Sequence, residues 1–244
     1  MASTRVFSDR QRVVALVALA QVALDVVASV LFLAVYDFNF GALAADPGTF
    51  PVRGADVAGL LRWGAVVDML AYLALAPVVL YVHRRLSAGV SERVAAVGLV
   101  SLLTFGGLGF SLAGAIGAAL YASVGPPLLE VSVGAPATAT AARVAFAALA
   151  DGVTVGLWGT LEWLLLGVWL IGVGWLVRAE GRAFAWLAVV AGVGALAYAA
   201  RTGLTGHTPG DFSNPLDIVL FGGLGLFVAW LVWVAVRLWR GTSS

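Results

Sequence analysis

In this chain of 244 residues, 61% are hydrophobic and only 11% are charged, with a mean hydropathy of +1.00. A soluble domain carries about a quarter charged residues, so water cannot be the solvent for most of this surface. A net charge of +1 is too small to suggest a nucleic-acid partner. The absence of cysteine excludes disulfides, thiolate metal sites and cysteine nucleophiles.

Crossing roughly 30 Å of hydrocarbon takes about 20 helical residues, and six runs meet that test. They lie near 13–36, 57–82, 94–121, 152–177, 183–200 and 216–236, the fifth being the shortest. The runs are continuously apolar rather than alternating, which argues against a β-barrel. The fold class expected is therefore all-α, a single polytopic membrane helix bundle. The first run follows Arg5, Arg10 and Arg12 but is too long for a signal-peptide core and is interrupted by Asp25. It is expected to be a retained helix.

The connections differ in character. The first long loop holds Asp46-Pro47-Gly48, a turn signal. The second is expected to open at Gly125-Pro126-Pro127 and to run past Pro136, and the third holds Gly206, Pro209, Gly210 and Asn214-Pro215. From 138 to 177 the chain is nearly continuously helix-compatible. Forty helical residues would be about 60 Å long, twice the hydrocarbon thickness. Residues 138–150 are therefore expected to form a separate surface helix or an extension of the fourth span, with Gly152 as the break.

Basic residues set the orientation. With both termini cytoplasmic, Arg5, Arg10, Arg12, Arg84, Arg85, Arg93, Arg178, Arg182, Arg237 and Arg240 fall inside, and Arg53, Arg62, Arg143 and Arg201 fall outside. Ten against four favours that topology in a plasma or inner membrane. Trp63, Tyr81, Tyr121, Trp175 and Trp239 fall near span ends, where amphipathic rings anchor at the interface.

Helices in lipid associate through close backbone approach and interhelical hydrogen bonds. Small-residue stripes occur at Gly107/Ser111/Ala115 and Gly109/Ala113/Gly117 in the third span, at Gly152/Gly156/Thr160 in the fourth, and at Gly222-Gly223 in the last. The third and fourth spans are accordingly expected to pack at the centre.

Three carboxyl groups, Asp25, Asp68 and Glu162, lie about 10–15 residues from a span end, or roughly 15–22 Å deep. Acids at that depth are costly and mark functional sites by default. Gln21 lies one turn from Asp25, Tyr72 one turn from Asp68, and Trp158 one turn from Glu162. Asp151 is eleven residues before Glu162, close to three α-helical turns, and so shares its face. No basic residue lies at this depth, so the seven together make a candidate site for protons, a cation or a lipid-like ligand. The competing reading makes each acid an interhelical hydrogen-bonding group. His83, beside Arg84 and Arg85, reads as interfacial, and His207 as exposed. Two separated histidines do not form a zinc site. No phosphate loop, dinucleotide fingerprint or nucleophile elbow is present, and Ser101, Thr104 and Ser111 are expected to bond back to helical carbonyls.

The stretch LLRWGAVVDMLAYLALAPVVLYVHRRL, from residue 60 to 86, resembles the second helix of bacterial multi-pass membrane proteins grouped as domains of unknown function. AGAIGAALYASVGPPLL and GLWGTLEWLLLGVWLIGVG resemble later parts of the same type. The resemblance implies a six-helix bundle and transfers no substrate or catalytic residue. Three functions are left in contention: a small transporter or ligand-binding protein using the midplane carboxylates, a structural or accessory membrane protein, and an intramembrane lipid-modifying enzyme with paired acids. No cofactor or metal is expected. The expected partners are membrane lipids, with a second copy or another membrane protein left open.

Overall fold

The structure, a computed structural model, describes residues 2–39, 50–89, 94–179, 181–208 and 214–240. Helix α1 (Ala2–Val35) is followed by one 3-10 turn (Gly54–Val57) leading into α2 (Ala58–Gly89), then α3 (Val94–Val131). A long helical run comprises α4 (Pro136–Asp151), a π-helical segment (Gly152–Glu162) and α5 (Trp163–Leu176), and α6 (Arg182–Thr205) and α7 (Pro215–Arg240) complete the chain. Six helical runs are long and apolar enough to span a membrane: Arg10–Val35, Gly54–Ser87, Gly98–Val131, Pro136–Leu176, Arg182–Thr205 and Pro215–Arg240. Large apolar side chains such as Leu16, Leu102 and Val219 stand exposed around the outside, where lipid replaces water as their solvent. The Asp46-Pro47-Gly48 turn and Pro209-Gly210 lie outside the described residues.

The six runs alternate in direction, which brings the start of α1 and the end of α7 to the same end, where the Arg12 guanidinium lies 6.0 Å from the Trp239 ring centroid. Two apolar cores fill the bundle. One, toward the terminal end, is built on Trp169, Trp230, Leu170 and Phe184. The other, toward the opposite end, is built on Phe32, Val35, Leu61, Leu129 and Phe146. At that opposite end, Arg53 pairs with Asp37 at 3.7 Å and Arg62 with Glu130 at 3.9 Å, both pairs about half exposed.

The chain departs from the sequence-based expectation at several points. Gly125-Pro126-Pro127 does not open a loop: both prolines lie inside α3, which continues to Val131. The last turns hold because Leu129 is fully buried beside Leu61, so packing offsets the hydrogen bonds the prolines cannot donate. Of the two forms expected for 138–150, the structure has the continuous extension. Gly152 is not a break, since its backbone stays helical (φ −60°, ψ −40°) and its N–H bonds to the carbonyls of Ala148 and Leu149. The helix instead changes winding there. α1 does end in a sharp stop, with Asp37 and Phe38 both left-handed (φ 52° and 59°) and the Phe38 N–H bonded back to the Leu33 carbonyl at 2.7 Å, a Schellman closure.

Packing along α3 follows its glycines. A Cβ on Gly107 would meet the Trp169 indole at 2.9 Å, one on Gly109 would meet Leu165 at 3.0 Å, and those on Gly114 and Gly117 would strike the rings of Tyr72 and Trp158. Of the stripe expected on the fourth span only Thr160 packs, against Gly203 of α6, where a Cβ would meet its methyl group at 3.3 Å; a Cβ on Gly152 or Gly156 would meet nothing within 4 Å among the described residues. Close backbone approach occurs between α5 and α6, where a Cβ on Gly167 would fall 2.8 Å from the Gly192 carbonyl oxygen.

Candidate functional site

The two cores leave a cavity of about 240 Å³ between α1, α2, α3, the π segment, α6 and α7. Its position follows from how each helix presents its polar residues. On α2, Asp68 and Tyr72 are one turn apart and both face inward. On the long run, Thr154, Trp158 and Glu162 follow one another at four-residue intervals and all line the cavity. A π helix has about 4.4 residues per turn, so such spacing keeps side chains close to one face. The Thr160 hydroxyl donates to the Val155 carbonyl, five residues back, at 2.7 Å, which matches the wider winding. Segments of this kind are rare and recur at functional sites.

Glu162 is the centre of the arrangement. Its side chain is 4% exposed. The Tyr72 hydroxyl donates to Oε1 at 2.7 Å, and Oε2 has no hydrogen-bond partner among the described residues. Gly114 of α3 makes room for the Tyr72 ring, and the Ser111 hydroxyl donates to the Tyr72 carbonyl across the α2–α3 interface. The Trp158 indole N–H donates to the Gly114 carbonyl at 3.2 Å, which holds that ring over Gly117.

The other walls are aromatic. Tyr121 and Trp158 stack at 5.3 Å between centroids, and Phe32 meets both edge-on at 6.1 and 5.9 Å. On the far side Trp163 and Tyr198 stack at 4.3 Å. The Tyr121 hydroxyl lies 3.1 Å from Thr154 Oγ1. Among the described residues no arginine or histidine lines the space.

The seven residues singled out in sequence fall in three groups. Asp68, Tyr72, Trp158 and Glu162 come together in the cavity. Asp25 does not line it: the Gln21 amide donates to Asp25 along α1, and the next turn presents Ser29 and Phe32 to the cavity in its place. Asp25 nevertheless lies within Coulombic range of both Asp68 and Glu162. Asp151 is exposed and off the site. Eleven residues are three turns of an α helix but only about two and a half turns of a π helix, which rotates Asp151 away from Glu162. The expectation of a shared face assumed α winding and is corrected here.

Sequence reasoning missed Phe32, Tyr121, Trp163 and Tyr198. Tyr121 is buried in the cavity wall and is not an interfacial anchor, whereas Trp63, Trp175 and Trp239 are exposed. A phenol within an apolar run was the available signal for Tyr121 and Tyr198, because a buried hydroxyl needs a partner. His83 does more than meet solvent, since its Nδ1 lies 2.7 Å from the Thr104 hydroxyl. Thr104 bonds back to Val100 as expected, but Ser111 reaches across to α2.

Tyr72→Phe removes the one hydrogen bond Glu162 makes among the described residues and is expected to destabilise the bundle by about 0.6 kcal/mol, the average for interhelical bonds in membranes, and by no more than about 1.7 kcal/mol. Detergent-induced unfolding in mixed micelles measures it, and an unchanged midpoint would mean that the bond contributes nothing.

Six apolar helical runs closed around one cavity of acids and aromatic rings define a multi-pass α-helical membrane protein. The chain matches no protein-family model, no curated protein and no solved structure.

Proposed function

We propose that the chain is a small cation-binding membrane protein of the transporter type, with Glu162 and Asp68 as the charged groups of the site. The supporting observation is Glu162, a residue of the cavity lining whose Oε2 is buried and lacks a protein partner among the described residues. Leaving such an oxygen bare costs several kcal/mol in an apolar interior. A cation supplies the missing interaction, and among the described residues no basic side chain lines the cavity to compete for it. The lining extends from Glu162 to Tyr36 and Thr208, both buried at helix ends on the side away from the termini, so the cavity reaches from the midplane toward that face. Arg12, Arg84, Arg85, Arg178, Arg182, Arg237 and Arg240 crowd the opposite end. Under the positive-inside rule that end is cytoplasmic, and access is from outside a plasma or inner membrane.

The second reading, acids as interhelical glue, draws on the same Tyr72–Glu162 bond, which joins α2 to the long run. Glu162→Gln separates the two, because the amide oxygen still accepts from Tyr72 while the charge is lost. The purified protein in detergent is titrated with sodium, potassium and ammonium chlorides and with alkylammonium chlorides while its unfolding temperature is followed. At least one cation is expected to raise the midpoint of the wild type, reaching about 2.7 kcal/mol of stabilisation at a hundredfold excess over Kd. Glu162→Gln is expected to fold and to lose that response. A wild type indifferent to every cation, or a variant that responds equally, would overturn the proposal in favour of glue.

A further inference from the structure

Which cation the cavity takes follows from its walls, and the inference rests on the cation-site reading above. An inorganic ion needs a shell of oxygens. Among the described residues no cluster of three or more histidine, aspartate or glutamate side chains is placed to hold a metal. The cavity offers two carboxyl groups, Asp68 and Glu162, together with serine, threonine and tyrosine hydroxyls, and seven of its sixteen lining residues are aromatic.

We propose that the occupant is a small alkylated or aryl ammonium monocation, with its charge against Glu162 and Asp68 and its carbon-bound faces against Trp158, Tyr121 and Phe32. Three features converge on it. Stacked and edge-packed rings hold their geometry without a ligand: Trp158 is anchored to the Gly114 carbonyl and braced by Tyr121 and Phe32. A preorganised ring wall attracts an organic cation whose charge is spread over attached carbons, and tryptophan attracts it most strongly. A naked metal ion would leave most of that wall idle. The volume of about 240 Å³ sets the size, since it equals about eight waters at their share of liquid volume. That is room for a compact cation of roughly eight to twelve heavy atoms rather than a lipid or a drug-sized molecule. The charge also matches: Tyr72 donates to one Glu162 oxygen, and the other has no protein partner among the described residues, so the carboxylate retains an unmet charge for one ammonium centre.

The test is calorimetric titration of the full-length protein in detergent with tetramethylammonium, methylammonium, potassium and, as an uncharged mimic, tert-butanol. Tetramethylammonium is expected to bind most tightly and tert-butanol not to bind. Glu162→Gln is expected to weaken tetramethylammonium by roughly thirtyfold or more, and Trp158→Leu by roughly tenfold. Trp158→Phe keeps a ring face without the indole N–H and is expected to stay within about threefold of wild type. Should Trp158→Leu fail to fold, Phe32→Leu removes a second wall ring and is expected to weaken tetramethylammonium selectively. Potassium binding more tightly than either ammonium ion, with affinity lost in Glu162→Gln and unchanged in Trp158→Leu or Phe32→Leu, would overturn the ammonium assignment and leave the cation site standing. Equal binding of tert-butanol would overturn it as well. Absence of any cation titration would overturn both.

Discussion

Arg201→Ala is expected to destabilise the bundle by about 3–5 kcal/mol, among the largest effects of any single substitution in this chain. Arg201 on α6 pairs with Asp217 in the first turn of α7 at 2.8 Å. The Asp217 side chain is 2% exposed and that of Arg201 22%, so the carboxylate has little water to turn to if the guanidinium is removed. The same arginine donates to the His207 carbonyl at 3.3 Å, tying the end of α6 to the segment that carries Thr208, a cavity-lining residue. The α6 turn ends on Gly206 in the left-handed region (φ 71°), with its N–H on the Thr202 carbonyl. The ion pair therefore secures the rim of the cavity as well as the α6–α7 contact. Detergent-driven unfolding in mixed micelles measures the loss. Removing both charges, as in Arg201→Met with Asp217→Leu, is expected to recover most of it, because burying an apolar pair avoids the desolvation of two ions. An Arg201→Ala variant as stable as the wild type would show that water or other groups compensate Asp217.

Gly192→Val is the second large effect, expected at roughly 3 kcal/mol or more, the upper end of overpacking. Its readout is loss of monodisperse protein from detergent extracts. A Cβ at this position would stand 2.9 Å from the Gly167 carbonyl oxygen and 2.9 Å from the Ile171 nitrogen. Both are backbone atoms of α5 and cannot swing aside as a side chain does. Gly174, seven residues after Gly167 on α5, meets the Ala185 carbonyl oxygen in the same way at 2.7 Å. The crossing thus depends on small residues at several levels. With no hydrophobic force between helices in lipid, forcing this pair apart forfeits most of what holds it together. Gly222→Ala provides the control, since among the described residues nothing lies within 4 Å of its Cβ position, and alanine is expected to be neutral or mildly stabilising there. Equal tolerance of both substitutions would mean that α5 and α6 can separate without cost.

The fold was legible because hydropathy is a local property. Each run of about 20 apolar residues declares its own helix and its need for lipid, so all six spans could be located from one sequence. Asp68 and Glu162 stood out for the same reason: an acid within such a run conflicts with its surroundings whatever the neighbouring helices do. The partner of a residue on another helix is not a local property. Nothing near Tyr72 in sequence points to Glu162, ninety residues away, and nothing near Gly167 points to Gly192.

Winding also lay beyond sequence reading. Seven of the eleven residues from Gly152 to Glu162 are Gly, Val or Thr, which weakens an α helix without specifying another winding, so the π register that turns Asp151 outward could not be read from local propensity. Sequence alone determined that this chain lives in a bilayer as six helices with acids buried among them. Tertiary structure decided which acids share a cavity, which rings wall it and which glycines let helices touch, because in lipid those choices rest on close packing between surfaces distant in the chain.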